Sequence, residues 1–206
     1  QLVYGGLTKV FAGIIIAPIG GIIFGMVLVG IIIAVFAKRK PAVVNRTFGR
    51  LSIISSVWLA LTHGANDGQK TMGIIVLILF SADLISEIHM PLWVIFAAAS
   101  AMGLGTFFGG YKVIKTLGLK ITRLKPYQGF AAQTGGGVML AIFATLGIPA
   151  STTHAITGSV MGAGAARRIR AVRWRVSRQI IFSWVITIPG AAGLGIGFTY
   201  IIHLFV

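Results

Sequence analysis

The sequence predicts an all-α membrane protein, a polytopic helical bundle. Of its 206 residues, 56% are hydrophobic and only 10% are charged, whereas a soluble domain carries about 25% charged residues. The basic residues concentrate in short segments between long apolar runs, as in the cytoplasmic loops of membrane proteins. The net charge of +15 therefore does not indicate nucleic-acid binding. The lack of cysteine excludes a disulfide framework, a thiolate metal site and a thiol nucleophile.

Four apolar stretches are predicted to cross the membrane, for which a helix needs about 20 residues. They cover residues 10–37, 51–81, 91–110 and 179–205. The first ends at the basic sequence Lys38-Arg39-Lys40-Pro41. The third begins with proline, a residue that favours the first turn of a helix.

The second stretch is interrupted by polar residues. Each apolar part on either side is only about ten residues long and rises about 15 Å as a helix, so neither part crosses alone. We therefore predict a single crossing whose helix is broken at residues 63–70. Such breaks are tolerated where the freed backbone lines a cavity, and they commonly hold the coupling-ion sites of secondary transporters.

Residues 128–166 are predicted to form a re-entrant helical hairpin. Gly147-Ile148-Pro149 divides the stretch, and the part that follows is too short to span. Basic clusters occur at residues 38–50, 112–125 and 167–178. If all three face the cytoplasm, the hairpin leaves and returns on that side, and both termini of the chain lie outside. Two short full spans satisfy the same charge pattern.

Asp67 is one of three acidic residues in the chain and falls within a predicted membrane segment. Ionisable groups in such segments are costly and typically mark an ion or substrate path. Asn66 adds a carbonyl oxygen. Oxygen ligands suit Na⁺, and a carboxylate can alternatively carry H⁺. A structural ion pair with Lys70, three residues further along the helix, is the alternative interpretation.

Ser151, Thr152 and Thr153 precede a helix-like run at the tip of the predicted hairpin. Hydroxyl side chains favour helix N-termini, where free N–H groups and the helix dipole attract anions such as phosphate or sulfate. An ordinary helix cap fits the spacing equally well. His63 and His154 are candidate proton relays or buried structural histidines. A serine hydrolase built on Ser151 and His154 lacks an oxyanion-hole signature.

Two separated motifs resemble those of the inorganic phosphate transporter (PiT) family. The first is His63-Gly64-Ala65-Asn66-Asp67-Gly68-Gln69-Lys70, and the second is Pro149-Ala150-Ser151-Thr152-Thr153-His154. Residues 127–134 are also similar to the segment that leads into the second motif. The ending Gly68-Gln69-Lys70 is similar to the bacterial low-affinity phosphate transporters.

The resemblance implies a transporter of two inverted repeats, of which this chain is one, the C-terminal half. It assigns the coupling cation, H⁺ or Na⁺, to Asn66 and Asp67, with no cofactor and no other metal. It assigns phosphate contacts to Ser151, Thr152 and Thr153. The implied accessory or path-lining residues are Gln69, Lys70, Gln133, Thr134 and His154.

The implied function is cation-coupled symport of inorganic phosphate across the bacterial plasma membrane by alternating access, and not an enzymatic reaction. The bacterial likeness favours H⁺ as the coupling ion. Because the chain begins with Gln1 and holds a single Asn-Asp motif, we expect a fragment that an N-terminal repeat or a partner half completes. Full transporters are expected to form homodimers in the lipid. Sulfate or another oxyanion is the alternative substrate, and a non-transporting membrane scaffold is the alternative of another class.

Overall fold

The chain folds into a bundle of α-helices. The computed structural model describes residues 4–203, apart from the side chains of Tyr4 and Lys112, and contains no strand in that range. The helices are α1 (Tyr4–Val35), α2 (Pro41–Ser81), α3 (Leu92–Lys115), α4 (Pro126–Thr145), α5 (Thr152–Ala165) and α6 (Trp174–His203), with a π-helical turn at Thr116–Ile121 and a 3₁₀ turn at Ile169–Ala171. The predicted all-α fold is confirmed. Residues 204 and 205 of the last predicted span lie outside the described residues.

Three helices in the described range are long and apolar enough to cross a membrane. They are Gly5–Val35, Leu92–Tyr111 and Trp174–His203, which correspond to the first, third and fourth predicted spans. Within α3 and α6, only 11% and 0% of the most apolar 18-residue window is buried by the rest of the chain. These two helices therefore present apolar surface on nearly all sides, as helices in contact with lipid or with further helices do. The crossings themselves stay predictions.

The predicted break in the second span is wrong, because α2 runs without interruption from Pro41 to Ser81. The polar side chains of residues 63–70 do not interrupt the backbone hydrogen bonds. Instead they bond along the helix or to the hairpin, as when Asn66 Nδ2 donates to the Thr62 carbonyl at 2.8 Å. The two glycines of this segment lower helix propensity by only about 1 kcal/mol each. A polar composition was thus compatible with a continuous helix of about 61 Å.

The tightest packing in the bundle joins α1 to α5, where glycines allow the two backbones to touch. At four glycines, a Cβ atom would overlap a carbonyl oxygen of the other helix. The pairs are Gly21 with Ala155, Gly25 with Ser159, Gly158 with Pro18 and Gly162 with Ile22. Small residues spaced by four let membrane helices approach in this way, so the glycines of both helices are packing residues.

The predicted hairpin is formed by α4 and α5. Gly147 follows α4 with a φ of 60°, a left-handed conformation that favours glycine and ends the helix. The Ile148 N–H then donates to the Phe143 carbonyl at 3.0 Å, and the chain reverses towards α5. With 14 residues, α5 rises only about 21 Å, less than the hydrocarbon thickness. Re-entry into the membrane stays a prediction.

The three basic clusters meet at one end of the bundle. Arg39, Lys125 and Arg167, one from each cluster, line the same cavity. The Arg173 N–H also donates to the Ile121 carbonyl at 2.8 Å, which joins the second cluster to the third. The charge pattern thus corresponds to one face of the molecule, as predicted, while its cytoplasmic orientation stays a prediction.

We expect Gly25→Ala to destabilise the bundle, because its methyl group overlaps the Ser159 carbonyl and overpacking typically costs about 1–3 kcal/mol. Gly30→Ala is the matched control on the same helix, since a Cβ there meets nothing within 4 Å. Thermal unfolding of the purified protein in detergent measures the difference. A melting temperature lowered equally by both changes would contradict this account of the α1–α5 contact.

Candidate functional site

Asp67 joins α2 to the tip of the hairpin. Its Oδ2 accepts a hydrogen bond from Thr152 Oγ1 at 2.9 Å and lies 3.1 Å from His63 Nε2. Its Oδ1 accepts a hydrogen bond from Lys70 Nζ at 3.0 Å. The carboxylate, whose side chain is 30% exposed, therefore contacts a hydroxyl, an imidazole and an ammonium group.

Lys70 makes a second link between α2 and the tip. Besides pairing with Asp67, its ammonium group donates to the carbonyl oxygen of Ala150, in the turn before α5. The side chain is 41% exposed, so the ammonium group is accessible to a small ion as well. The ion pair considered as an alternative for Asp67 is thus present, and it involves the predicted substrate loop.

Asn66 holds α2 against the first helix of the hairpin. Its buried side chain donates through Nδ2 to the Thr62 carbonyl at 2.8 Å and to the Leu140 carbonyl of α4 at 3.3 Å. These two bonds fix the orientation of the amide, and its oxygen is the atom left to bind a cation or a donor. Asn66 and Asp67 thus contact different elements of the hairpin.

The three hydroxyl residues of the tip do not lie on one surface. Ser151 is the N-cap of α5, and its Oγ accepts a hydrogen bond from the His154 N–H at 3.4 Å. Thr152 is buried against Asp67. Thr153 is exposed on another side, where it lines a cavity with Leu117 and other residues of α3, α5 and α6.

Gln133 and Thr134, predicted to line the path, lie further along α4. Gln133 Oε1 accepts a hydrogen bond from Ser55 Oγ at 2.6 Å, and the buried hydroxyl of Thr134 has no hydrogen-bond partner. Gln133 precedes Leu140, the α4 residue that Asn66 contacts, by seven positions, or about 10 Å of helix. The structure therefore does not bring Gln133 and Thr134 to Asp67.

The other predicted accessory residues divide between the two sides of the hairpin. Gln69 is exposed and lines a cleft of about 260 Å³ together with Asn66, Lys70 and turn residues of the hairpin. His154 is buried, and the centroid of its ring lies 3.8 Å from the ring centroid of Trp184 on α6. Its Nδ1 has no hydrogen-bond partner. Gln69 thus belongs to the Asp67 side, whereas His154 contacts α6.

Sequence reasoning missed the roles of His63, Thr62 and Ser55 in this arrangement. His63 precedes Asp67 by four residues, the spacing at which helical side chains meet. The pairing of these two residues could therefore have been predicted from the sequence. Ser55, Thr62, Asn66 and Lys70 follow one another at intervals of seven, four and four. This spacing indicates one polar stripe on a helix, and its contacts with α4 and the tip lie along that stripe.

The polar atoms around Asp67 are suited to a small ion. Among the residues that the structure describes, no group of three His, Cys, Asp or Glu side chains could hold a metal ion. The candidate ion-binding atoms on the Asp67 side are carboxylate and amide oxygens, which suit hard cations. Next to them are the N-terminus of α5 and the Lys70 ammonium group, which suit an anion.

The sequence is similar to a protein family and to curated relatives over nearly its whole length. The model of the "Phosphate transporter family" matches residues 34–195. A relative from Rhizobium meliloti, named "Probable low-affinity inorganic phosphate transporter", is 46% identical over 93% of this chain and 58% of its own length. A Bacillus subtilis relative with the same name is 39% identical over the same shares.

A solved structure shares the fold. "The sodium-dependent phosphate transporter" superimposes with a TM-score of 0.62 and 32% sequence identity, covering 71% of this chain and 37% of that protein. The chain spans about half the length of the curated relatives it matches, with 58% for the two bacterial proteins above.

We expect Thr152→Val to loosen the hairpin tip, because it removes the hydroxyl that donates to Asp67. A hydrogen bond to a charged group contributes about 1.5–3 kcal/mol. Thr153→Val is the matched control, because it makes the same change on the next residue, whose side chain is exposed elsewhere. Thermal unfolding in detergent should show a lower melting temperature only for Thr152→Val. Equal shifts for both variants would show that the Asp67 contact does not stabilise the tip.

Proposed function

This chain belongs to the phosphate transporter family, and we propose that it forms one half of a carrier for cation-coupled symport of inorganic phosphate. The observation that carries the proposal is the hydrogen bond between Thr152 and Asp67. Through it, a cation that binds the carboxylate alters the position or charge of the predicted phosphate-binding tip. The cation at Asp67 and the phosphate at the tip are then coupled directly through this hydrogen bond, with no further residue between them.

Phosphate is proposed to bind at the N-terminus of α5. Three features support this position. The N-terminal N–H groups of α5 and its dipole favour an anion, Ser151 and Thr152 supply hydroxyl groups, and the Lys70 ammonium group already contacts the Ala150 carbonyl next to them. Thr153, whose side chain is exposed on another side, contributes its backbone N–H.

The coupling cation is proposed to bind Asp67, with the amide oxygen of Asn66 as a further ligand. Since Lys70 pairs with one carboxylate oxygen, the cation shares or replaces that contact and frees the ammonium group for phosphate. The structural neighbour is named as sodium-dependent, which favours Na⁺ over the H⁺ suggested by Gly68-Gln69-Lys70. The loaded site then changes its access as the helix bundles rock against each other.

The arrangement in the membrane completes the proposal. The end that carries the three basic clusters faces the cytoplasm, the hairpin enters from that side, and both termini of this chain lie outside. A second repeat supplies the opposite half of the site, and full transporters pair as homodimers. The open apolar surfaces of α3 and α6 are available for lipid and for these contacts.

We expect Asp67→Asn to lower phosphate uptake by about tenfold or more, since a carboxylate kept within the membrane at a cost marks the ion path. Asp83→Asn is the matched control, because it makes the same charge change in the loop after α2. Uptake of labelled phosphate into proteoliposomes is measured in Na⁺ and in choline medium at constant pH, and we expect uptake to require Na⁺.

The scaffold alternative gives a different result in the same experiment. A scaffold subunit keeps its assembly and loses little when Asp67 is changed, whereas the symporter assembles normally and loses uptake. Uptake that survives Asp67→Asn in a well-assembled protein would overturn the role of this carboxylate in coupling.

We expect a large excess of sulfate to leave labelled phosphate uptake unchanged. At neutral pH phosphate retains a P–OH donor and sulfate has none, and the tip presents acceptors in the Ala150 carbonyl and Asp67. A site built to pair with a donor strongly rejects an analogue that lacks it. Competition by sulfate as effective as competition by unlabelled phosphate would favour the broader oxyanion permease.

A further inference from the structure

A second candidate binding site lies at the basic end of the bundle, far along α2 from Asp67. It is a cavity of about 180 Å³. Asp67 follows Pro41, which lines the cavity, by 26 positions, or about 39 Å of helix. The cavity is therefore separate from the proposed transport site.

Three cationic residues from different segments of the chain line this cavity. Arg39 follows α1, Lys125 is the N-cap residue of α4, and Arg167 follows α5. The structure gives none of these three side chains an acidic partner: the carboxylate that forms ion pairs in the described residues is Asp67, with His63 and Lys70. Three cations that converge without a counterion favour an anionic ligand.

Two helices also begin at this cavity. Pro41 starts α2, Lys125 occupies the N-cap position of α4, and neither helix has an acidic residue in its first turn. The positive ends of both helix dipoles thus add to the charge of the three side chains. The potential at the cavity is positive from side chains and backbone together.

The other part of the cavity lining is apolar and continues onto the outer surface of α1. It includes Ile32, which is buried, and Ile33, which is 39% exposed. Phe36 and Val44 complete this wall, and the neighbouring Val35 is 70% exposed. An inorganic anion gains nothing from such a wall, whereas the acyl chain of a lipid packs on it.

Asn45 gives the cavity a specific polar feature. It lines the cavity, and its Oδ1 is buried without a hydrogen-bond partner. A buried acceptor without a donor costs free energy, so a ligand that carries hydroxyl groups would satisfy it. A glycerol headgroup provides such hydroxyls beside its phosphate.

We propose that this cavity binds an anionic phospholipid with a hydroxyl-bearing headgroup, of the phosphatidylglycerol class. Arg39, Lys125 and Arg167 contact the lipid phosphate, and Asn45 accepts a hydrogen bond from the glycerol. One acyl chain follows the apolar surface of α1. Basic pockets between membrane helices on the cytoplasmic side are suited to such headgroups.

The experiment measures lipid retention and does not depend on transport. The protein, purified at its full natural length, is mixed with equal amounts of phosphatidylglycerol, phosphatidylethanolamine and phosphatidylcholine, and the retained lipids are counted by native mass spectrometry. We expect preferential retention of phosphatidylglycerol. The combined changes Arg39→Gln, Lys125→Gln and Arg167→Gln should lower it by about tenfold or more.

The matched control removes the same charge from the same end of the bundle. Arg46, Arg50 and Arg175 are exposed and do not line the cavity. Their combined change to Gln should lower retention of phosphatidylglycerol much less than the change of the three cavity residues, since it removes only the general attraction of near-surface charge. Equal losses in the two triple variants, or equal retention of phosphatidylglycerol and phosphatidylcholine by the unchanged protein, would overturn the proposal.

Two further arms test the ligand chemistry. Asn45→Leu should weaken retention of phosphatidylglycerol and leave that of phosphatidic acid, which lacks the glycerol hydroxyls, unchanged. An equal effect on both lipids would refute the glycerol contact. Displacement of the bound lipid by millimolar inorganic phosphate would instead identify the cavity as a site for the free anion and overturn the lipid assignment.

Discussion

The contact between the backbones of α1 and α5 is the constraint on which the rest of the bundle depends. α5 has 14 residues and cannot cross a membrane, so another element must set its position. The glycines of both helices set the position of α5, because they allow a close backbone contact with α1. A Cβ at this contact would meet a carbonyl oxygen of the other helix. The position of Thr152, at the start of α5, is thus set by backbone packing as well as by its hydrogen bond to Asp67.

A continuous α2 changes the kind of site that the bundle can build. In a broken helix, free backbone carbonyls and N–H groups become ligands, whereas the backbone of a continuous helix is already hydrogen-bonded. The polar atoms on the α2 side are therefore side-chain atoms of Asn66, Asp67 and Lys70. The backbone groups of the site come from the hairpin: the Ala150 carbonyl, which accepts a hydrogen bond from Lys70, and the N–H groups in the first turn of α5.

The sequence supported correct predictions of the all-α fold and of the family, and both are confirmed. The break in α2 was wrong, because composition cannot distinguish an unwound segment from a helix whose polar side chains bond to a neighbour. The separation of Thr152 from Thr153 follows from the helix period, which turns successive side chains by about 100°. The hydrogen bond between Ser55 and Gln133 could not be predicted from the sequence, because it depends on how far α4 is shifted along α2.

The position of Asp67 along α2 bears on charge balance in the proposed transport. The first ten residues of α2 belong to the basic cluster at residues 38–50. Counted from residue 51, Asp67 lies about 24 Å along the helix, and it lies about 21 Å from Ser81. If residues 51–81 occupy the membrane, the carboxylate is near the middle, where net charge is most costly. The Asp67 carboxylate and the Lys70 ammonium group form an ion pair and so balance each other's charge. If phosphate binds here as proposed, it adds its full negative charge to this ion pair, and each added charge requires one co-transported cation if the loaded site is to remain neutral.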